Sequence, residues 1–258
     1  MPIAKLWTSY YTLIRKSFVR IVRIWPQTIL PSLVTSTLYF TVFGTILGSQ
    51  ISAVDGFSYM QFVVPGLVML AVVTNAYTEV ATTFFVSKFF SRNIDEILVS
   101  PTPPWVIIAA FVTGGLIRST IVGCLVLAVS MFFALPHVAH PLFIVLFLVL
   151  SSVVFSLAGL VNGIYAKSFD GISIVPTFVL TPLVYLGGVF YSVTMLPPFF
   201  QALTYANPIF YIINGFRYGF LGISDVSLVL ATTVLLGLVA FFVAVSWYLL
   251  RTGLGLKQ

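Results

Sequence analysis

Two charged residues fall inside long apolar runs, and they are the first places to look for chemistry. Glu79 lies in the run Tyr59–Val86 and Arg118 in the run Trp105–Leu135. A charge at the centre of a lipid bilayer costs about 2.5–3.5 kcal/mol even on insertion scales, so such residues are functional or paired. Two chemistries are open. Glu79 and Arg118 can neutralise each other as a structural ion pair. Alternatively, Arg118 faces a cavity and meets anionic substrate, while Glu79 carries an ion or a proton. Glu79 sits about two helical turns from the Val86 end of its run, and Arg118 about 20 Å above Trp105, at roughly 1.5 Å per residue. The depths match if the third run begins below the lipid, as Pro103-Pro104 permits, with the arginine snorkelling a few ångströms.

Other reactive groups are sparse. His137 and His140 share one short loop without a Cys or carboxylate to complete a metal site, and read as solvated loop residues. Cys124 is the single cysteine and forms neither an intrachain disulfide nor a metal site. No Gly-x-x-x-x-Gly-Lys-[Ser/Thr] phosphate loop occurs, so ATP is not bound by that route. An intramembrane serine protease needs a histidine at membrane depth, and both histidines lie outside it. No enzymatic centre and no cofactor bound by this chain are expected.

The elements that carry these residues follow from composition. Hydrophobic residues are 60% of the chain and charged residues 7%, with 12 basic and 6 acidic side chains in 258 residues. A soluble domain carries roughly a quarter charged residues, so most of this chain is solvated by lipid. The net charge of +6 does not point to nucleic acid, because the cations sit at the ends of apolar runs and not on one face of a domain. About 20 apolar residues cross a bilayer. Six runs meet that length: Gln27–Gly48, Tyr59–Val86, Trp105–Leu135, Leu142–Tyr165, Ile172–Tyr191 and Ser227–Leu250. The expected fold is an all-α integral membrane protein with six transmembrane helices in a single domain, 1–258.

Loop charge orients the spans. Lys5, Arg15, Lys16, Arg20 and Arg23 precede the first, Lys88 and Arg92 follow the second, Lys167 follows the fourth, and Arg251 and Lys257 follow the sixth. Loops Ser49–Ser58 and Pro136–Pro141 contain no Lys or Arg. Both termini are therefore expected in the cytoplasm, with the N-terminus retained rather than cleaved. A seventh span around Ile209–Leu221 would reverse the tail. Pro197-Pro198, Asn207-Pro208 and Gly215, Gly219 and Gly222 break the stretch 192–226 into short pieces. It is expected as re-entrant outer helices between spans five and six, covered by protein because lipid does not tolerate open backbone.

The N-terminal residues 1–26 repeat Trp7, Tyr10 or Tyr11, Ile14, Phe18, Ile21 or Val22 and Trp25 at spacings of three and four. Cations fill the other faces. The pattern predicts an amphipathic helix in the plane of the interface, its apolar face in membrane lipid and its cations near anionic headgroups. Between spans two and three, the segment 87–104 carries Ser91 or Asn93 as a helix cap, Asp95 and Glu96 in the first turn, and Pro101 as a stop. Ile94, Ile97 and Leu98 make an apolar edge. A short cytoplasmic helix with such an edge predicts a docking surface.

The succession Leu183, Leu186-Gly187, Val189, Leu196-Pro197, Pro208-Ile209-Phe210-Tyr211 and Arg217 resembles the characteristic segment of the ABC-2 type permeases, the membrane subunits of ABC exporters. The run Arg92-Asn93-Ile94-Asp95-Glu96-Ile97-Leu98 is similar to that family's coupling segment, and the likeness extends over nearly the whole chain. It is nearest to small bacterial inner-membrane permeases, including those for polysaccharide, Nod-factor or drug export. The resemblance implies two copies forming a translocation pathway above two separate ATPase subunits that bind ATP and Mg. It implies ATPase coupling through Arg92, Asn93, Asp95, Glu96, Ile97 and Leu98. The second and fifth spans would line the pathway, with Asn75, Glu79, Thr177, Thr181 and Tyr185 as lining residues. Leu196, Pro197, Pro208, Tyr211 and Arg217 are its motif residues. In the fifth span, Pro176 and Pro182 can kink the helix, and Gly187-Gly188 can bring backbones close. A gate is expected at Val189, Phe190 and Tyr191. The rival readings are a stand-alone secondary transporter or channel using Glu79 as an ion or proton site, for which no repeated halves are seen, and a membrane scaffold.

Overall fold

The structure is a computed structural model that describes residues 3–48, 56–90 and 93–256. Its elements are helices: α1 (Ile3–Arg23), α2 (Trp25–Thr28), α3 (Leu30–Tyr39), α4 (Tyr59–Phe89), α5 (Asn93–Val99), α6 (Pro104–Ser130), α7 (Pro141–Tyr165), α8 (Phe169–Val175), α9 (Thr181–Leu186), α10 (Pro198–Ala206), α11 (Pro208–Leu221) and α12 (Leu228–Thr252). π-helical stretches continue α3 through Phe40–Leu47 and join α8 to α9 through Pro176–Leu180. Among the described residues, five helices are long and apolar enough to cross a membrane: α4, α6, α7, the α8–α9 run Phe169–Leu186, and α12.

α4 is the axis of the bundle. Its start is fixed by a capping box, in which the Gln61 backbone N–H donates to Ser58 Oγ (3.3 Å) and the Ser58 N–H to Gln61 Oε1 (3.2 Å). It is apolar all round and buried along nearly its whole length, as a helix without a polar face must be. α7 lies against it through Gly159 and Gly163, where an added Cβ would come 2.4 Å from the Tyr77 carbonyl oxygen and 2.9 Å from that of Ala81. In lipid there is no hydrophobic drive between helices, so this backbone contact supplies the attraction.

The chain departs from the expected runs where proline and glycine act. The run Gln27–Gly48 is not one regular helix. Pro26 and Pro31 lack an N–H and bracket a break at Ile29, between α2 and α3. α6 stops at Ser130 and not Leu135, because Pro136 disfavours helix before it and the next residues are held elsewhere: Ala139 and His140 donate to the Phe220 and Gly219 carbonyls. The fifth run starts earlier, at Phe169, where Ser168 Oγ accepts the Gly171 N–H (3.1 Å). It stops at Leu186 and not Tyr191, because Gly188 takes the left-handed conformation (φ 78°). Within it, Pro176 and Pro182 each remove a donor, and the chain answers with a π-turn in which the Thr181 N–H reaches Pro176 O.

The stretch 192–226 forms two short helices, α10 and α11, that turn back at Asn207. Asn207 Nδ2 donates to the Leu183 carbonyl, so the turn lies one helical turn inside the end of α9. α11 then runs back to Gly222, beside the Pro136–His140 loop, and is buried on α7, α12 and α4. Fourteen residues at ~1.5 Å each rise about 21 Å, less than the ~30 Å a span requires.

α1 is helical as its period predicts, but its apolar face is divided. Ile21 is buried against the bundle and Tyr10 Oη bonds Thr113 Oγ1 of α6 (2.9 Å). Trp7, Tyr11, Phe18 and Val22 form a second, exposed stripe, continued by Trp25 of α2. The helix is thus a three-sided element: one side on α6, one aromatic side outward, and one cationic side. The apolar edge of α5 is also corrected. Ile94 is buried and Ile97 half-buried against the core of α4, α6 and α7, so this edge fastens α5 to its own bundle.

Candidate functional site: a polar groove above a buried charge cluster

Glu79 and Arg118 meet. Arg118 Nη1 donates to Glu79 Oε2 at 2.6 Å, with both side chains almost wholly buried. The α6 helix begins at Pro104, which gives Arg118 the depth to reach α4. Its other nitrogen, Nη2, donates to Asn75 Oδ1 (3.1 Å) and to the Thr28 carbonyl (3.1 Å), an oxygen on the last residue before the break at Ile29. The cluster has a third charge that spacing did not single out. Arg20 of α1 donates to Thr83 Oγ1 and lies 3.9 Å from Glu79 Oε1. Thr83 Oγ1 in turn donates to Glu79 (3.0 Å). One carboxylate therefore holds two guanidiniums, from α1 and α6, against α4. No sequence signal distinguishes Arg20 from the other cations of its helix, since only the tertiary contact of α1 with α4 and α6 selects it.

Above the cluster lies a groove of about 300 Å³ between α3, α4 and α9. Its walls carry Ser32, Thr35, Ser36 and Tyr39 on one side, Thr74 and Asn75 on the second, and Thr181 and Tyr185 on the third. The lining bears hydroxyls and an amide and no formal charge. Asn75 joins the groove to the cluster, since its Nδ2 donates to Ser32 Oγ (2.9 Å) while its Oδ1 accepts from Arg118. Of the expected lining residues, Asn75, Thr181 and Tyr185 are brought together here. Glu79 is not, being enclosed by its arginines, and Thr177 is exposed away from it. The contribution of α3 was missed, although Ser32, Ser36 and Tyr39 share one helical face at spacings of four and three.

The far end of the groove is closed by aromatic rings. Tyr39 and Tyr185 share a hydroxyl–hydroxyl bond of 2.9 Å, and Phe190 stacks on Phe43 (4.3 Å between centroids) and on Tyr185 (5.8 Å). Tyr191 Oη donates to the Tyr185 carbonyl (3.0 Å), and Tyr59 Oη to that of Phe190 (3.1 Å). Val189 is buried against Gly66, where an added Cβ would come 3.0 Å from the Val189 Cα. Arg217 pins the same turn, donating from Nη2 to the Gly188 carbonyl (2.6 Å) with its guanidinium 3.8 Å over the Phe62 ring. Pro208 opens α11 after its Asn207 cap, and Tyr211 Oη donates to the Tyr205 carbonyl (2.7 Å) across the α10–α11 turn. Pro197 precedes α10, and the Leu196 carbonyl accepts from Gln201 Nε2 (2.8 Å).

The family model described as ABC-2 type transporter matches residues 8–221, which includes the groove, the cluster and the Arg217 turn. The chain belongs to the ABC-2 type transporter family. It is 55% identical over 252 residues to the inner membrane transport permease YadH of Escherichia coli (strain K12), covering 98% of each chain. It is 24% identical over 234 residues to nodulation protein J of Neorhizobium galegae, covering 90% of this chain and 89% of that one. This ABC-2 permease is a multi-pass membrane transport subunit, and family membership implies a partnership with an ABC ATPase.

At the permease end where α4, α7 and α12 finish, Lys88 Nζ donates to the Ile164 carbonyl (2.9 Å) and to that of Gly255, tying the C-terminal turn to the bundle. α5 sits at this end. Arg92 lies outside the described residues, and the backbone of Asn93, Asp95 and Leu98 lies on α5. Glu96 and Val99 are exposed, and Ile97 turns inward. Between α1 and α5 a cavity of about 530 Å³ is lined by Lys5, Thr12, Glu96 and Ser100, among others. Beside it, burial holds the Lys16 ammonium below the ordinary lysine range, with Glu96 opposing the shift.

Proposed function

We propose that this permease is the membrane half of an ATP-driven exporter. Two copies form the pathway, and the groove of α3, α4 and α9 is each copy's share of it. Two ATPase subunits carry ATP and Mg and dock at the α5 end, through the segment Arg92–Leu98, on which Glu96 is exposed. ATP-driven closure of those subunits moves α5. The buried Ile94 and the half-buried Ile97 pass the movement to α4 and α6, and the groove is opened in turn to either side. The observation that carries this reading is an uncharged hydroxyl groove, aromatic-sealed at one end and resting on a charge cluster at the other, two of whose walls are on the second and fifth apolar runs.

The reading includes six spans with both termini cytoplasmic. The helical course Leu30–Leu47 supplies the crossing beyond the five long helices, and α10–α11 is a re-entrant hairpin from the outer face. Lys88 at the end of α4, Lys167 after α7 and Arg251 at the end of α12 lie at the α5 end, which favours that end as the inner one. A proton-coupled carrier centred on Glu79 is disfavoured, because its carboxylate is enclosed by Arg20 and Arg118 and does not line the polar groove.

The test is reconstitution with the partner ABC ATPase. Asn75→Leu and Thr181→Leu, which fill the groove, are expected to lower transport at least tenfold while the ATPase still binds. Asp95→Lys with Glu96→Lys is expected to release the ATPase or abolish its stimulation by the permease. Transport by the purified chain alone, driven by a proton gradient, would refute the proposal.

A further inference from the structure

α6, α7 and α12 leave a second groove, on a side of the molecule that the transport reading does not use. Its volume is about 630 Å³, more than twice that of the polar groove. Ile108 and Ala109 of α6 form one wall, Ala240 and Ala244 of α12 the other, and Val153 and Leu157 of α7 the floor. Alanines on both walls set them back, so the floor is reached from the lipid side. Trp105 and Trp247 stand at the same end of the groove, where α6 begins and α12 ends. One turn beyond, the Arg251 guanidinium lies 4.9 Å over the Trp247 ring. Arg251 is exposed, and among the described residues it has no carboxylate within ion-pair distance.

We infer that this groove is a binding site for one anionic phospholipid, its acyl chain on the floor and its phosphate on Arg251. The charge pattern favours that occupant. Tryptophan belongs at the headgroup level of a membrane, and an arginine beside it with no carboxylate partner among the described residues attracts anionic lipid. The groove runs about 10 Å from Trp105 to Val112 at 1.5 Å per residue. That length suits part of one acyl chain and is short for seating a transmembrane helix of about 30 Å. Because lipid tails are as apolar as the groove, transfer from bilayer to groove gains little by itself. Three-sided van der Waals contact holds the chain, and the headgroup contact selects the lipid. The inference does not depend on the direction of transport or on the ATPase.

Native mass spectrometry of the full-length chain, offered equal phosphatidylglycerol and phosphatidylethanolamine with matched acyl chains, tests it. One phosphatidylglycerol should be retained per chain with about fivefold preference, the worth of one cation near an anionic surface. Arg251→Gln should bring that preference to parity, whereas Arg23→Gln, on the exposed cationic side of α1, should leave it unchanged. Ala244→Phe, or the milder Ala240→Leu, should reduce retention of both lipids, with helicity and gel-filtration volume checking the fold. Equal retention by the unmodified protein overturns the inference. So does a preference that survives Arg251→Gln, or a groove-filling variant that instead releases a co-purifying membrane protein and leaves bound lipid unchanged.

Discussion

Glu79 is the residue on which α1, α4 and α6 converge. Removing its charge leaves Arg118 buried without an anion, and stranding one member of a buried pair costs about 3–5 kcal/mol. Glu79→Gln is therefore expected to lower the thermal midpoint and the yield of folded permease strongly. Arg118→Gln strands the carboxylate less, because Arg20 remains within 3.9 Å of it. Arg20→Gln is expected to be mild, about 1 kcal/mol or less, since that side chain is 27% exposed. The ordering Glu79→Gln worst, Arg118→Gln intermediate, Arg20→Gln least is measurable by thermal unfolding in one detergent. Equal losses would contradict the asymmetric cluster. Glu79 and Arg118 were visible in the sequence as charges in apolar runs. Arg20 was not, because one cation on a helix with several looks like any other until the fold shows which way it points.

Helix packing sets the next scale. Gly159 and Gly163 let α7 lie against the α4 backbone, with no room for a Cβ at Gly159. Gly159→Leu is expected to separate the two helices, abolishing stable expression, while Gly237→Ala on the open face of α12 should be silent, since nothing lies within 4 Å of it. Gel filtration of the two variants checks this. The α8–α9 element makes a different prediction. Its π-turn exists because Pro176 and Pro182 remove two donors, so Pro176→Ala should let the element approach a regular helix. Thr181 and Tyr185 would then rotate out of the groove. Transport is expected to fall more than stability, which transport and unfolding assays on the same preparation separate. The two prolines announced a kink, but the direction in which it turns Tyr185 depends on Phe190 and Tyr39 across the groove.

The whole molecule presents faces that its own chain leaves uncovered. Phe178 on the α8–α9 run is 73% exposed, beside the groove wall that carries Tyr185. If two copies meet across the pathway, Phe178→Cys in a Cys124→Ser background should form a disulfide-linked dimer on mild oxidation, read on a non-reducing gel. A cysteine at Val229, equally exposed on α12, should not.

Composition alone determined that this chain lives in lipid, because 18 charged residues cannot solvate the surface of a 258-residue globule. Apolar run length and the positions of Lys and Arg gave the helices and their expected order through the membrane, and the absence of a phosphate loop pointed to a partner. These are local properties, legible because lipid imposes the same demand on every stretch of backbone. The tertiary structure decided what is non-local. It divided the apolar face of α1, turned the edge of α5 inward, and gave Glu79 a second arginine. It also separated two grooves that look alike as sequence. One is polar because hydroxyls from three helices converge on it, and the other is apolar because alanines on two helices withdraw. The starting feature, a lone acid and a lone base in apolar runs, became a three-charge cluster because a buried carboxylate has room for more than one donor and only the packing of α1 brings the second within reach.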